Sequence, residues 1–88
     1  MIHIVGFSQC VPHSQAIGQW KNPDDQFSEG YRQIEMWCHI AKTLERGLAD
    51  GFFLADVHGV YDVYGNSRDA AHKYAVQTPG VDPMLLTS

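Results

Sequence analysis

The 88-residue sequence holds only two cysteines, Cys10 and Cys38, with no CxxC and no regular spacing between them. That excludes a disulfide framework and a four-cysteine zinc site, and it predicts two reduced thiols of a cytoplasmic protein. Basic residues are equally scarce: six Lys and Arg face ten Asp and Glu, for a formal charge of -4, and they are scattered rather than gathered. No electrostatic footprint for nucleic acid is present. Nowhere does an apolar run approach the ~20 residues of a membrane span, and the start "MIHIVGFSQCV" lacks a positive n-region. Internal repeats and low-complexity tracts are missing too.

At 44% hydrophobic and 18% charged, the composition is that of a globular domain with a modest core. "IHIVGF", residues 2 to 7, is β-branched and aromatic and predicts a first strand. "SQCVPHSQAIGQWKNPDDQFSEG" has no sustained period and two prolines, and so predicts a long loop of the kind that carries function. From Tyr31 to Arg46, apolar positions Ile34, Trp37, Cys38, Ala41 and Leu44 recur at steps of three and four, predicting a helix that buries this face, with Cys38 and Trp37 in the core. Gly47 should end it in a positive-φ conformation. "GFFLADV" then reads as a strand buried on both faces, as in parallel sheets. "NSRDAAHKYAVQ" predicts a short helix capped by Asn66 or Ser67, and Asp82-Pro83 the N-cap and first position of another. Strand, helix, strand is a βαβ unit, and the alternation reads as the front of a longer α/β chain, residues 1–88 forming an incomplete domain.

In parallel α/β folds the residues after the carboxyl ends of the strands form the active face. Asp56 ends the second strand and is the first functional candidate. A carboxylate capping a turn or pairing with Arg68 is the structural alternative. Cys10 and His13 lie in the loop after the first strand, where a Cys and His pair could form a thiolate nucleophile, although a small loop hydrophobe beside a surface histidine is the plainer reading. Asp56 with His58 could ligate a metal in a barrel hydrolase, but no HxH or HExxH spacing accompanies them. His3, His39 and His72 read as structural or solvated, and Trp20 as packed or lining a pocket. A non-catalytic α/β module that binds a partner through exposed strand edges is a further alternative.

"LERGLADGFFLADVHGVYDVYGNSRDAA", with "WKNP" upstream and "AVQTPGVDPMLL" downstream, resembles the amino-terminal region of the flavin-dependent monooxygenases of the nitrilotriacetate, dibenzothiophene-sulfone and long-chain alkane group, in the bacterial luciferase-like superfamily. The resemblance implies α/β architecture, the amino-terminal βαβ portion of a (β/α)8 TIM barrel, truncated. It implies reduced FMN, supplied by a separate NAD(P)H-dependent reductase, acting with O2 on a small organic substrate, and a homo-oligomer at full length. Asp56 matches the family's flavin-contacting aspartate after "FLA". The length of the loop after the first strand and its place on the presumed active face make Cys10 and His13 expected pocket residues near the flavin ring of a complete enzyme, and the aromatic loop "VYDVYG" could help as a lid or wall. "DDQFSEGYRQ" departs from the family's Thr-Asp-type cap near Arg32 and Gln33, which predicts a looser start to the helix there. The chain alone is expected to be inactive, with no metal.

Overall fold

The computed structural model of the chain describes residues 1–12, 18–57 and 59–87, apart from the Trp20 side chain. Two strands, β1 (Val5–Gln9) and β2 (Gly51–Ala55), pair in parallel from Val5↔Gly51 to Gln9↔Ala55. A helix α2 (Ile34–Arg46) connects them, preceded by the single turn α1 (Phe27–Gly30). The βαβ unit is therefore present. A five-residue helix α3 (Asp69–Lys73) and 3₁₀ turns at Gln19–Lys21, Tyr64–Asn66 and Pro83–Leu86 complete the described elements.

β1 begins at Val5, three residues after its apolar run starts, and reaches Gln9, two residues beyond the end of that run. Asp50 binds the residues just before that strand. Its carboxylate accepts from the Ile4 N–H at 2.7 Å and lies 3.2 Å from His3 Nδ1, while its own N–H donates to the Ile4 carbonyl. This clasp fixes the register where both strands start. The Ile4 N–H first, and then His3, hold the Asp50 carboxyl below its ordinary range. Its contribution to stability is thus present above the ordinary Asp value and is lost as pH falls through the lower folded one.

One sheet face is covered and the other is open. Gly6 and Ser8 with Phe52 and Leu54 face α2, where the buried Trp37 stacks at 6.1 Å from Phe52 and edge-on to Phe27 at 5.8 Å. The Trp37 indole N–H donates to the Tyr31 carbonyl at 2.8 Å, so the ring brings no unpaired polar atom into the core. Cys10, Tyr31 and Trp37 are its buried members, and Phe27, Ile40, Phe52, Leu54, Val81 and Leu86 pack on them. Gly6 is where helix and sheet come closest: a Cβ there would stand 2.5 Å from Leu44 Cδ1. On the other face Val5, Phe7 and Phe53 are about half exposed, which corrects the expectation that β2 is buried on both sides. Only one helix layer is present among the described residues to cover it.

Helix α2 departs from its predicted face. Trp37, Ile40 and Leu44 point inward, whereas Ile34, Cys38 and Ala41 are exposed; Cys38 is not a core residue. The apolar stripe is wider than what α2 covers. Its N-cap, Gln33, makes no side-chain capping bond, in keeping with the departure noted around Arg32 and Gln33. At the other end Gly47 has φ -79, and the left-handed residue is Leu48 at φ 58. The Ala49 N–H reaches the Leu44 carbonyl and the Leu48 N–H that of Glu45, the paired bonds of a Schellman motif with leucine where glycine is usual. Leu48 is 87% exposed, so its side chain gains little packing in compensation. Leu48→Gly is therefore expected to stabilise the chain by about 0.5 kcal/mol, relief of a left-handed cost of about 1–2 less the entropy glycine adds to the unfolded state. A urea midpoint that falls rather than rises would contradict this.

The segment after α3 is shorter in helix than the sequence suggests. The Asp69 N–H bonds the Ser67 hydroxyl at its start, and Ala75 and Gln77, at φ 52 and 56, break it at its end. The chain then turns back through a cis Thr78–Pro79 bond toward β1. Asp82 caps the final 3₁₀ turn by accepting from the Met84 N–H, with Pro83 at its first position.

Candidate functional site

Because β1 and β2 are parallel and in register to Gln9↔Ala55, the next residue of each, Cys10 and Asp56, leaves the sheet at the same end. The return loop closes over that end. The Val81 N–H donates to the Cys10 carbonyl at 2.8 Å, and Gly80 lies so close that a Cβ would meet Val11 Cγ1 at 3.3 Å. Between these three segments is a cavity of about 390 Å³. Its walls are Cys10 and Val11 beyond β1, Asp56, Val57, Gly59 and Val60 beyond β2, and Gln77, Thr78, Gly80, Val81 and Asp82 from the return loop.

The electrostatics are one-sided. Asp56, an exposed residue, and Asp82 both line the cavity, and no Lys or Arg is among the described residues of the wall. Cys10 is only 2% exposed; burial first, then the charges of Asp56 and Asp82, push its thiol up. Such a thiol is protonated at neutral pH. Burial and the two carboxylates disfavour a thiolate at Cys10, while His13, its suggested base, lies outside the described residues. His58 does too. Among the described residues no cluster of three His, Cys, Asp or Glu is arranged to hold a metal ion.

The contrast between the two thiols can be measured. Cys38, exposed on α2, is expected to react promptly with a disulfide reagent at pH 8, and Cys10 slower by an order of magnitude or more until the chain unfolds, because thiolate is the reactive form. Two equal rates in the folded chain would refute it. The folded state keeps the Cys10 proton where an unfolded cysteine has lost it. Its contribution to stability is therefore full below about pH 8.5 and declines as pH rises through the higher folded value.

The aromatic stretch after Asp56 divides between two places. Val60 reaches the strand-end cavity, whereas Tyr61, Val63 and Tyr64 line a neighbouring concavity of about 830 Å³ with Ala70, Ala71 and Tyr74. Of the stretch expected as a lid or wall, Val60 is the described residue that lines the Asp56 cavity. Sequence reasoning missed the return loop as a wall. Its signal was present in the crowding of Pro79, Gly80 and Pro83, but Asp82 was legible only as a helix cap.

Comparison with known proteins bears on this arrangement. No family model matches the sequence. The chain is 47% identical over 88 residues to a long-chain alkane monooxygenase of Geobacillus thermodenitrificans (strain NG80-2), covering 99% of this chain and 20% of that one. It is 46% identical over 74 residues to a dimethyl-sulfide monooxygenase of Hyphomicrobium sulfonivorans, covering 84% of this chain and 15% of that one. The crystal structure of the long-chain alkane monooxygenase LadA superposes with a TM-score of 0.79 at 46% identity, over 97% of this chain and 19% of that one. DmoA from Hyphomicrobium sulfonivorans gives 0.80 at 41% identity, over 97% and 18%. The chain is related to the amino-terminal part of the luciferase-like monooxygenases. It spans 20% or less of the length of the curated relatives it matches. The βαβ unit is accordingly that of the amino-terminal part of a luciferase-like α/β barrel, and the Asp56 cavity lies at the strand ends where such barrels carry their sites. Among the described residues no helix is long and apolar enough to cross a membrane.

Proposed function

We propose that this chain contributes the first two strand ends of a reduced-FMN-dependent monooxygenase that oxygenates a small organic substrate, with Asp56 as a flavin contact. The observation that carries the reading is a carboxylate at the end of β2, facing a cavity also walled by the end of β1, in a chain 47% identical to a long-chain alkane monooxygenase.

The donor set of the cavity fits part of a flavin and not all of it. A carboxylate accepts hydrogen bonds only, so Asp56 can hold a ring N–H or a ribityl hydroxyl. With Asp82 also in the wall and no basic residue among its described members, the same place repels a phosphate and the negative edge of a reduced ring. When bound, reduced flavin supplies the reaction with O2 that delivers one oxygen atom to the substrate. The chain's own share is to orient one edge of the ring through Asp56 and to keep water out with Val11, Val57, Val60 and Val81. The reduced flavin would come from a separate NAD(P)H-dependent reductase.

The test is a chimera in which residues 1–88 replace the matching segment of the Geobacillus enzyme. It is expected to bind reduced FMN under anaerobic conditions and to turn over substrate with O2. A folded chimera that has lost flavin binding, beside a parent that retains it, would defeat the proposal.

A further inference from the structure

We propose that a second cavity of the chain binds a phosphate group through Tyr31, Arg32 and Lys73. The cavity measures about 450 Å³, a size usual for small-molecule sites. Tyr31 and Arg32 line it from the segment after β1, and Lys73, Tyr74 and Pro79 from the segment after β2. Both sets of wall residues thus come from the two strand-following segments that this chain contains. The residue that points to a ligand is Tyr31. It is 3% exposed, and its backbone is fully used: its N–H donates to the Phe27 carbonyl and its own carbonyl accepts from Trp37. Its hydroxyl has no hydrogen-bond partner among the described residues, yet it is not sealed inside the core, and the residue lines this cavity. A donor so nearly buried is costly to leave unpaired and calls for a bound acceptor. Burial pushes the phenol up from its ordinary range, so at neutral pH it keeps the proton it would donate.

Two cations give that acceptor its charge. The Arg32 guanidinium carbon lies 5.9 Å from the centroid of the Tyr31 ring, and Lys73 Nζ lies 5.4 Å from that of Tyr74. Both rings line the cavity, so stacking on them holds each cation at its wall. Glu29, the one carboxylate among the described wall residues, accepts from Arg32 Nη2, which leaves the other guanidinium N–H groups available. Lys73 makes no ion pair among the described residues. Arg32 and Lys73 against Glu29 make the wall positive by one charge in a chain that carries -4, the reverse of the Asp56 cavity. An ammonium, a guanidinium and a neutral hydroxyl suit a phosphate, which offers more acceptor oxygens and more charge than a carboxylate. Free phosphate and the phosphate end of an organic molecule share this chemistry. The inference stands on this wall alone and does not depend on the flavin reading.

The test is an NMR titration of the isotope-labelled chain with inorganic phosphate at about pH 7.5, where phosphate is mostly dianionic, against sodium chloride at matched ionic strength. Saturable shifts of the amides around Tyr31, Arg32 and Lys73 are expected with phosphate and not with chloride. Phenyl phosphate in a parallel series separates the two sources: tighter binding than inorganic phosphate assigns the site to an organic ligand, and equal binding assigns it to the free ion. Lys73→Met, at an exposed position, is expected to weaken binding by about tenfold or more through loss of a charge-assisted bond. Tyr31→Phe keeps the buried ring and removes only the hydroxyl, and is expected to weaken it by about three- to tenfold. Should Tyr31→Phe unfold the chain, Arg32→Gln takes its place. Two results would overturn the proposal: no saturation beyond that seen with chloride, or phosphate binding that these substitutions leave unchanged in folded protein, the mark of an adventitious ion only.

Discussion

In the chimera carrying residues 1–88, Asp56→Ala is expected to weaken reduced-FMN affinity by about ten- to a hundredfold, the loss of a charge-assisted hydrogen bond of roughly 1.5 to 3 kcal/mol. Asp56 is an exposed residue lining the cavity rather than packed in the core, so folding should suffer less than binding. Asp56→Asn keeps an acceptor oxygen and drops the charge. Its loss should be intermediate if the hydrogen bond matters more than the field. It should match alanine if the field dominates, because Asp82 would then supply the remaining negative potential in both variants. A carboxylate that merely capped the turn would give the opposite pattern, lower stability with normal affinity in the folded fraction. Anaerobic flavin titration beside thermal unfolding of the same variants separates the two. Unchanged affinity in both would remove Asp56 from the site.

Trp37→Ala carries the largest expected effect on folding. The indole is 4% exposed, packs between Phe27 and Phe52, and spends its N–H on the Tyr31 carbonyl. Truncating a buried tryptophan costs about 3–5 kcal/mol, and a core whose buried members are Cys10, Tyr31 and Trp37 has little else to draw on. The expected result is loss of the cooperative transition in near-UV circular dichroism. Cys38→Ala, one residue along the helix but exposed, should change stability by less than about 0.5 kcal/mol. Equal losses at the two positions would mean that α2 is rotated from the orientation described.

That pair also marks how far the sequence could be read. The helix was legible because its apolar positions recur with a 3.6-residue period, and the strands because their residues are β-branched and aromatic. The Asp56 position followed from the chemistry of parallel strand ends. Which edge of the helix stripe is buried was not legible, since Ile34, Cys38 and Ala41 satisfy the period as well as Ile40 does, and only the neighbour packed against them decides. The positive φ that glycine chemistry assigns to Gly47 passed to Leu48 because the backbone bonds to Leu44 and Glu45 set the geometry of the turn. The return loop was hidden for a different reason. Its hydrogen bond from Val81 to Cys10 joins residues far apart in the chain, and no local pattern encodes such a contact.

The close approach at Gly6 has a bearing on how variation in this chain should be interpreted. Leu44 occupies the space that any side chain at position 6 would need, and it does so with the ends of a rotatable group rather than with backbone. The two positions therefore share a single volume. An alanine at 6 beside a leucine at 44 asks the helix to lift or the leucine to turn, while the same alanine beside a smaller residue at 44 asks for neither. Substitutions at these sites are informative only when scored together, and a scale that rates each residue alone will misjudge both.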